Sequence, residues 1–237
     1  MASVLDEFKL KGIKFNGNYP SDVVLRDKFE ASGFFQYLWN MPPVKETESH
    51  LYGTNDKYVK SELAAEVIQK ATKTVAGTEK DNIGVFRTLV EVITNTHNWA
   101  DAEKEGTHKW WLLVEHDHEN KIVRFSFIDN GIGVLESINK RAYKQGLKES
   151  LSSYLKNNAE ILMDVLNGKI KSRTGLSFRG KGLPAIYKAF KGNYFSNFTF
   201  ITNNVSLNLQ TNQNAELEHD FSGTFFYFEM NKKNIIS

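Results

Sequence analysis

Apolar and polar positions alternate with two different periods along this chain, and the change of period predicts its elements. Residues 8–16, Phe-Lys-Leu-Lys-Gly-Ile-Lys-Phe-Asn, alternate apolar with basic and predict a strand with one wet face. Pro20 and Ser21 mark a turn into a helix from about Asp22 to Glu30, and Ser32-Gly33 ends it. The cluster Phe34, Phe35, Tyr37, Leu38 and Trp39 reads as a buried strand or helix end, with a docking arm for a partner or second copy as the other reading. Residues 46–57 are polar and predict a loop. From Tyr58 to Val75 the spacing is helical and breaks at Gly77. Asp81 is the expected cap of the next helix, where Phe86, Leu89, Val90, Ile93 and His97 share a stripe.

The period then shortens. Trp110–Glu115 and Ile122–Ile128 predict two strands around the turn His116-Asp117-His118-Glu119-Asn120. The two histidines flanking Asp117 invite a metal reading, but nothing else converges on them in sequence, so a solvated turn is the plainer expectation. A polar, helical segment follows over about Ser137–Gly168, then a basic stretch, then a helix opened by Gly180-Lys181-Gly182-Leu183 and running to about Phe190. Three closing strands are expected at 195–202, 205–209 and 223–230, with Asn203-Asn204 as a turn. The order predicts an α+β fold, one sheet covered by helices on one face.

Length and composition narrow the classes. The 237 residues suit one large domain or a domain with an appendage, split here into an N-terminal module (1–50) and a main domain (51–237). The net charge of +2 gives no nucleic-acid signal. Cysteine is absent, which excludes disulfides and thiolate chemistry. No apolar run approaches the roughly 20 residues that span a bilayer, and Asp6 and Glu7 do not suit a signal peptide. A cytoplasmic protein is expected.

Three motifs carry chemistry. Glu91 and Asn95 are four apart, so one helix face presents a carboxylate and an amide oxygen that can hold a hard cation and a water. Asp129 ends an apolar strand and is followed by Gly131 and Gly133, which let backbone approach a flat ring. A buried carboxylate there needs a donor, and the exocyclic amine of adenine is a suitable one. Gly180 and Gly182 precede a helix whose N-terminal amides, with Lys181 beside them, suit a polyphosphate.

Taken in order, with Gly223-Thr224 opening a late strand, these motifs resemble the GHKL or Bergerat-fold ATPases. That superfamily includes the gyrase B subunit, a heat-shock chaperone, sensor histidine kinases and MutL mismatch-repair proteins. The resemblance covers about Lys57–Met230 and implies a two-layer α/β sandwich with a mixed sheet. It implies Glu91 as the general base, Asn95 as the ligand of Mg²⁺ and Asp129 as the adenine acceptor with Gly131 and Gly133 supporting it. Gly180, Lys181, Gly182 and Leu183 fall on the phosphate side, and Thr224 reaches the aspartate. The intervening segment matches a lid over ATP. The chain departs from gyrase-type members at Asn98 and Trp99, where acidic residues are common, and in a lid that carries Arg173, Thr174, Gly175 and Ser177 instead of a glycine-rich run.

The resemblance implies ATP and Mg²⁺ as ligands, a protein partner or client, and a homodimer as one option. A glutamate before the asparagine favours water as nucleophile and hence ATP hydrolysis. Two alternatives stay open, a serine kinase of the anti-sigma-factor type and a non-hydrolysing ATP-dependent switch.

Overall fold

A computed structural model describes residues 1–39, 49–54, 61–99, 109–144, 157–170 and 181–235. The elements run α1 (Ala2–Leu10), α2 (Val23–Ala31), α3 (Phe34–Trp39), β1 (Ser49–Thr54), α4 (Ser61–Ala76), α5 (Ile83–Trp99), β2 (Trp110–Asp117), β3 (Ile122–Asp129), α6 (Val134–Lys144), α7 (Asn158–Leu166), α8 (Gly182–Lys191), β4 (Ser196–Asn208) and β5 (Gln213–Met230).

The strands form one sheet in the order β1-β2-β3-β5-β4. Every neighbouring pair is antiparallel, so the expectation of a mixed sheet is corrected for the described strands. The connections explain it. Tight turns join β2 to β3 and β4 to β5. Two helices rather than one separate β1 from β2, so the chain returns to the end of the sheet it left, whereas a single crossover helix would have made the pair parallel.

The residues of β3 alternate strictly, with Val123, Phe125, Phe127 and Asp129 buried on the face that the helices cover. Phe125 stacks on Phe228 at 4.8 Å and Phe200 on Phe226 at 4.5 Å, which ties β3, β5 and the edge strand β4 into one aromatic layer. Against it pack Val67, Ile68 and Ala71 of α4, Leu89, Val92 and Ile93 of α5, and Leu162 of α7. The buried stripe of α5 therefore includes Val92 and the threonines Thr88 and Thr96, beyond the positions read from spacing.

The helical layer does not account for every helix. The N-terminal helices α1–α3 cover part of the opposite face, where Ala2 and Phe34 pack with Trp111, Leu51 and Ile128. A hydrogen-bond chain anchors them: the Trp111 indole donates to the Tyr37 hydroxyl at 2.7 Å, which donates to Asp6 at 2.7 Å, and Lys109 pairs with the same carboxylate at 3.2 Å. The expectation of helices on one face is corrected accordingly.

Four local expectations also change. Residues 8–10 close α1 rather than open a strand, and Gly12, with φ +66°, ends that helix. The expected loop at 46–57 contains β1, a short edge strand held by backbone pairing to β2, and the boundary set at residue 50 falls inside it. Asn82, not Asp81, caps α5, accepting from Val85 N at 3.0 Å. Residues 195–209 are not two strands around a turn: β4 is continuous, with bulges around Asn203, whose φ of +51° bends it. Among the described residues no helix is long and apolar enough to cross a membrane.

Candidate functional site

Asp129 is the last residue of β3, opposite Trp110 of β2 and Thr224 of β5. Its side chain is 5 % exposed. Oδ1 accepts from Gly131 N at 2.8 Å and Thr224 N at 3.1 Å. Oδ2 is poorly served. The Thr96 hydroxyl is 3.5 Å from it and 3.2 Å from the carbonyl of Val92, with one proton to share between them. Burial pushes the Asp129 pKa up to about 6, and the bonds from Gly131, Thr224 and Thr96 only partly oppose that. The site thus holds a desolvated carboxylate with spare acceptor capacity on one oxygen.

The backbone around Asp129 leaves no room for side chains. A Cβ on Gly223, where φ is +101°, would lie 2.0 Å from the Asp129 carbonyl oxygen. One on Gly131 would lie 2.9 Å from Oδ1. At Gly133, φ is +81° and a Cβ would meet Asn203 Oδ1 at 2.4 Å. These glycines let three segments close on one carboxylate.

The turn after Asp129 is clamped from β4. Asn203 donates to the carbonyl of Ile132 at 3.0 Å and accepts from Leu135 N at 3.0 Å. Thr202 Oγ1 accepts from Val134 N at 2.9 Å and donates to the Gly223 carbonyl at 3.1 Å. Two of the amides that open α6 are therefore satisfied by a strand 68 residues downstream.

Glu91 and Asn95 lie on α5 and face the start of α8. A Cβ on Gly182 would sit 2.6 Å from Glu91 Oε2 and 3.3 Å from both polar atoms of the Asn95 amide. Two motifs about ninety residues apart in sequence thus meet. Among the described residues neither side chain has a hydrogen-bond or salt-bridge partner. Burial raises the Glu91 pKa, with no opposing donor. The N-cap of α8, Lys181, supplies no side-chain cap, and Pro184 has no N–H, so the amides of Gly182 and Leu183 open the helix beside Glu91 and Asn95. Lys181 is exposed there and Leu183 packs partly into the core.

The two halves touch through α5. Thr96, next to Asn95, is the residue that reaches Asp129. The structure therefore brings together Glu91, Asn95, Asp129, Gly131, Gly133, Lys181, Gly182, Leu183 and Thr224 along one helix and its neighbours. Gly180 and the lid residues Arg173, Thr174, Gly175 and Ser177 lie outside the described residues, and of the expected lid only α6, α7 and their immediate flanks are described. Spacing did not single out Thr96, Thr202 or Asn203. The available signal was weak: a threonine on the apolar stripe of a helix, and a Thr-Asn pair within a strand.

The His116-Asp117-His118 stretch is not a solvated turn throughout. β2 extends through Asp117, and His116 Nδ1 lies 2.8 Å from the Thr74 hydroxyl of α4. Burial lowers its pKa to about 4. Among the described residues no group of three or more His, Cys, Asp or Glu side chains could hold a metal.

No protein-family model matches this chain, and no curated protein matches it either.

Proposed function

We propose that the chain binds ATP with Mg²⁺ and hydrolyses it, as a protein of the GHKL type. One observation carries this reading: Gly182, at the start of α8, backs onto Glu91 and Asn95, while Thr96 beside them reaches Asp129. A carboxylate, an amide, a helix N-terminus and a buried acceptor are adjacent, which is what an adenine at one end and phosphates at the other require. The antiparallel sheet under its helical layer is compatible with a two-layer sandwich.

The roles follow from the chemistry. Asp129 accepts from an exocyclic amine through the oxygen that Thr96 leaves underused, and Thr224 holds its other oxygen. The amides of Gly182 and Leu183, with Lys181, favour phosphate oxygens. The Asn95 amide oxygen would ligate Mg²⁺, which when bound neutralises phosphate charge. That it has no partner among the described residues fits that use, as does the space that Gly182 leaves beside it. Glu91 is half-buried and has no partner among the described residues, which suits a group that accepts a proton from water, and its raised pKa makes it a better base than an exposed glutamate. A structural carboxylate would instead be expected to carry an ion pair or a cap.

Calorimetric titration with ATP, ADP and a non-hydrolysable analogue, with and without Mg²⁺, tests the binding. Phosphate release by the chain alone tests the reaction. Saturable, Mg²⁺-dependent ATP binding with release is expected. Binding without release would shift the assignment to a kinase or a switch, and no binding would refute it.

A further inference from the structure

Trp110 is 2 % exposed, and among the described residues its indole N–H is one of two buried side-chain polar atoms without a hydrogen-bond partner; the other is Gln36 Oε1, in α3 on the far face of the sheet. An orphaned donor in a packed interior carries its full desolvation cost. Its position sets it apart. Trp110 is directly opposite Asp129 in the β2/β3 ladder. Both side chains are buried on the helix-covered face, where opposite residues stand about 4.5–5.5 Å apart at Cβ. The indole stacks on Phe127, at 5.9 Å between ring centroids, so its plane is set by the core. The neighbouring indole of Trp111, by contrast, is satisfied by Tyr37. An unused donor thus sits on the residue directly opposite the one that carries an underused acceptor.

We propose that the Trp110 indole N–H and the Asp129 carboxylate form a donor–acceptor pair that reads an amidine edge, an amine beside a ring nitrogen, on an aminopurine ligand. The inference rests on the adenine-nucleotide reading above and deepens it. Asp129 takes the amine proton, and Trp110 donates to the adjacent ring nitrogen. A 6-oxopurine inverts both positions: its carbonyl meets the carboxylate and its ring N–H meets the indole N–H. The pair therefore supplies discrimination against hypoxanthine and guanine nucleotides, because each mismatch leaves a buried polar group unpaired.

The test compares ATP with its 1-deaza and 7-deaza analogues, which remove in turn each ring nitrogen that flanks the amine, on the wild type and on Trp110→Phe. The wild type should bind the 1-deaza analogue about 3- to 10-fold more weakly than ATP, the effect of one neutral hydrogen bond, and the 7-deaza analogue as tightly as ATP; the reverse order would overturn the proposal. Trp110→Phe should bind ATP more weakly by a similar factor and show no further loss with the 1-deaza analogue. A loss in Trp110→Phe that is equal for ATP and both analogues would assign Trp110 to packing alone and overturn the proposal. A second measurement needs no variant. The Trp110 indole ¹⁵N–¹H resonance of the wild type should shift saturably with ATP while that of Trp111 stays. If ATP binds and the Trp110 resonance does not move, the pair is refuted and the nucleotide reading stands. If no adenine nucleotide binds, both fail.

Discussion

Replacing Gly182 with alanine separates the stability of this fold from its chemistry. Gly182 is the first residue of α8, and its φ lies outside the left-handed region, so alanine is compatible with the backbone. Removing glycine from a compatible position stabilises by about 0.4–1 kcal/mol, chiefly through the unfolded chain. The added Cβ would lie 2.6 Å from Glu91 Oε2, closer than any real contact, but that atom is the end of a flexible side chain and can swing away. The cost is one displaced rotamer, about 0.5–1.5 kcal/mol. A shift of a few tenths of an ångström in Asn95 is also needed, since both of its amide atoms would be at 3.3 Å. The terms nearly cancel, so the melting temperature should stay within about 4 °C of wild type for a chain of this length. The chemistry should not survive. A misplacement of about 1 Å at a reacting group costs on the order of 100-fold. Circular dichroism melts and phosphate release on one preparation check both halves: turnover down about 100-fold or more, with the melt unmoved. Unchanged turnover would refute the role given to Glu91. A large loss of stability would refute the contact geometry.

Asp129→Asn should weaken ATP by about 1.5–3 kcal/mol, the value of a hydrogen bond to a charged group, as calorimetry would show. It should also alter the pH dependence of stability. With a folded pKa raised to about 6, the wild type binds an extra proton relative to the unfolded chain between about pH 4 and 6, so this group's contribution falls as pH rises through that window. The variant should lack that fall and exceed wild-type stability at neutral pH, by denaturant titration; parallel profiles would contradict the burial. Asn95→Ala should weaken ATP binding in Mg²⁺ but barely change metal-free ADP binding. Equal losses in both conditions would remove the ligand role. Glu91→Ala should keep ATP affinity and lose about 10²–10⁴-fold in turnover. Wild-type turnover should fall on acidification at a pH above the ordinary glutamate range, because Glu91 must be ionised to act and burial raises its pKa; a profile flat through that range would oppose the base. Gly223→Ala should be strongly destabilised, because its Cβ would meet backbone rather than a side-chain tip; a wild-type melt would show that the chain there is not closed on Asp129.

The sequence made the positions of the proposed site easier to single out than the frame around them. Glu91 and Asn95 announce themselves by spacing, and Asp129 by ending an alternating run before two glycines. These signals are local. The clamp from Thr202 and Asn203 leaves no local mark, because its partners lie 68 residues away and Asn203-Asn204 reads as a turn. The same Asn-Asn doublet hid the continuity of β4, where a left-handed residue makes a bulge instead of a reversal. The edge strand β1 escaped for another reason: it is joined to β2 by backbone bonds, which leave no mark on side-chain pattern. Residues 8–16 alternate convincingly, yet Phe8 to Leu10 finish a helix, since a short window cannot distinguish the two periods.

Trp110 and Trp111 are neighbours in sequence and stand back to back across a single strand. One indole lies in the layer that holds Asp129, and the other is tied to the N-terminal helices. Substituting either one changes the emission from one side of the sheet only, and the difference from wild type isolates that side's signal. The chain therefore carries a built-in two-channel optical reporter. Ligand entry should register through one channel, and detachment of α1–α3 through the other, without any added dye.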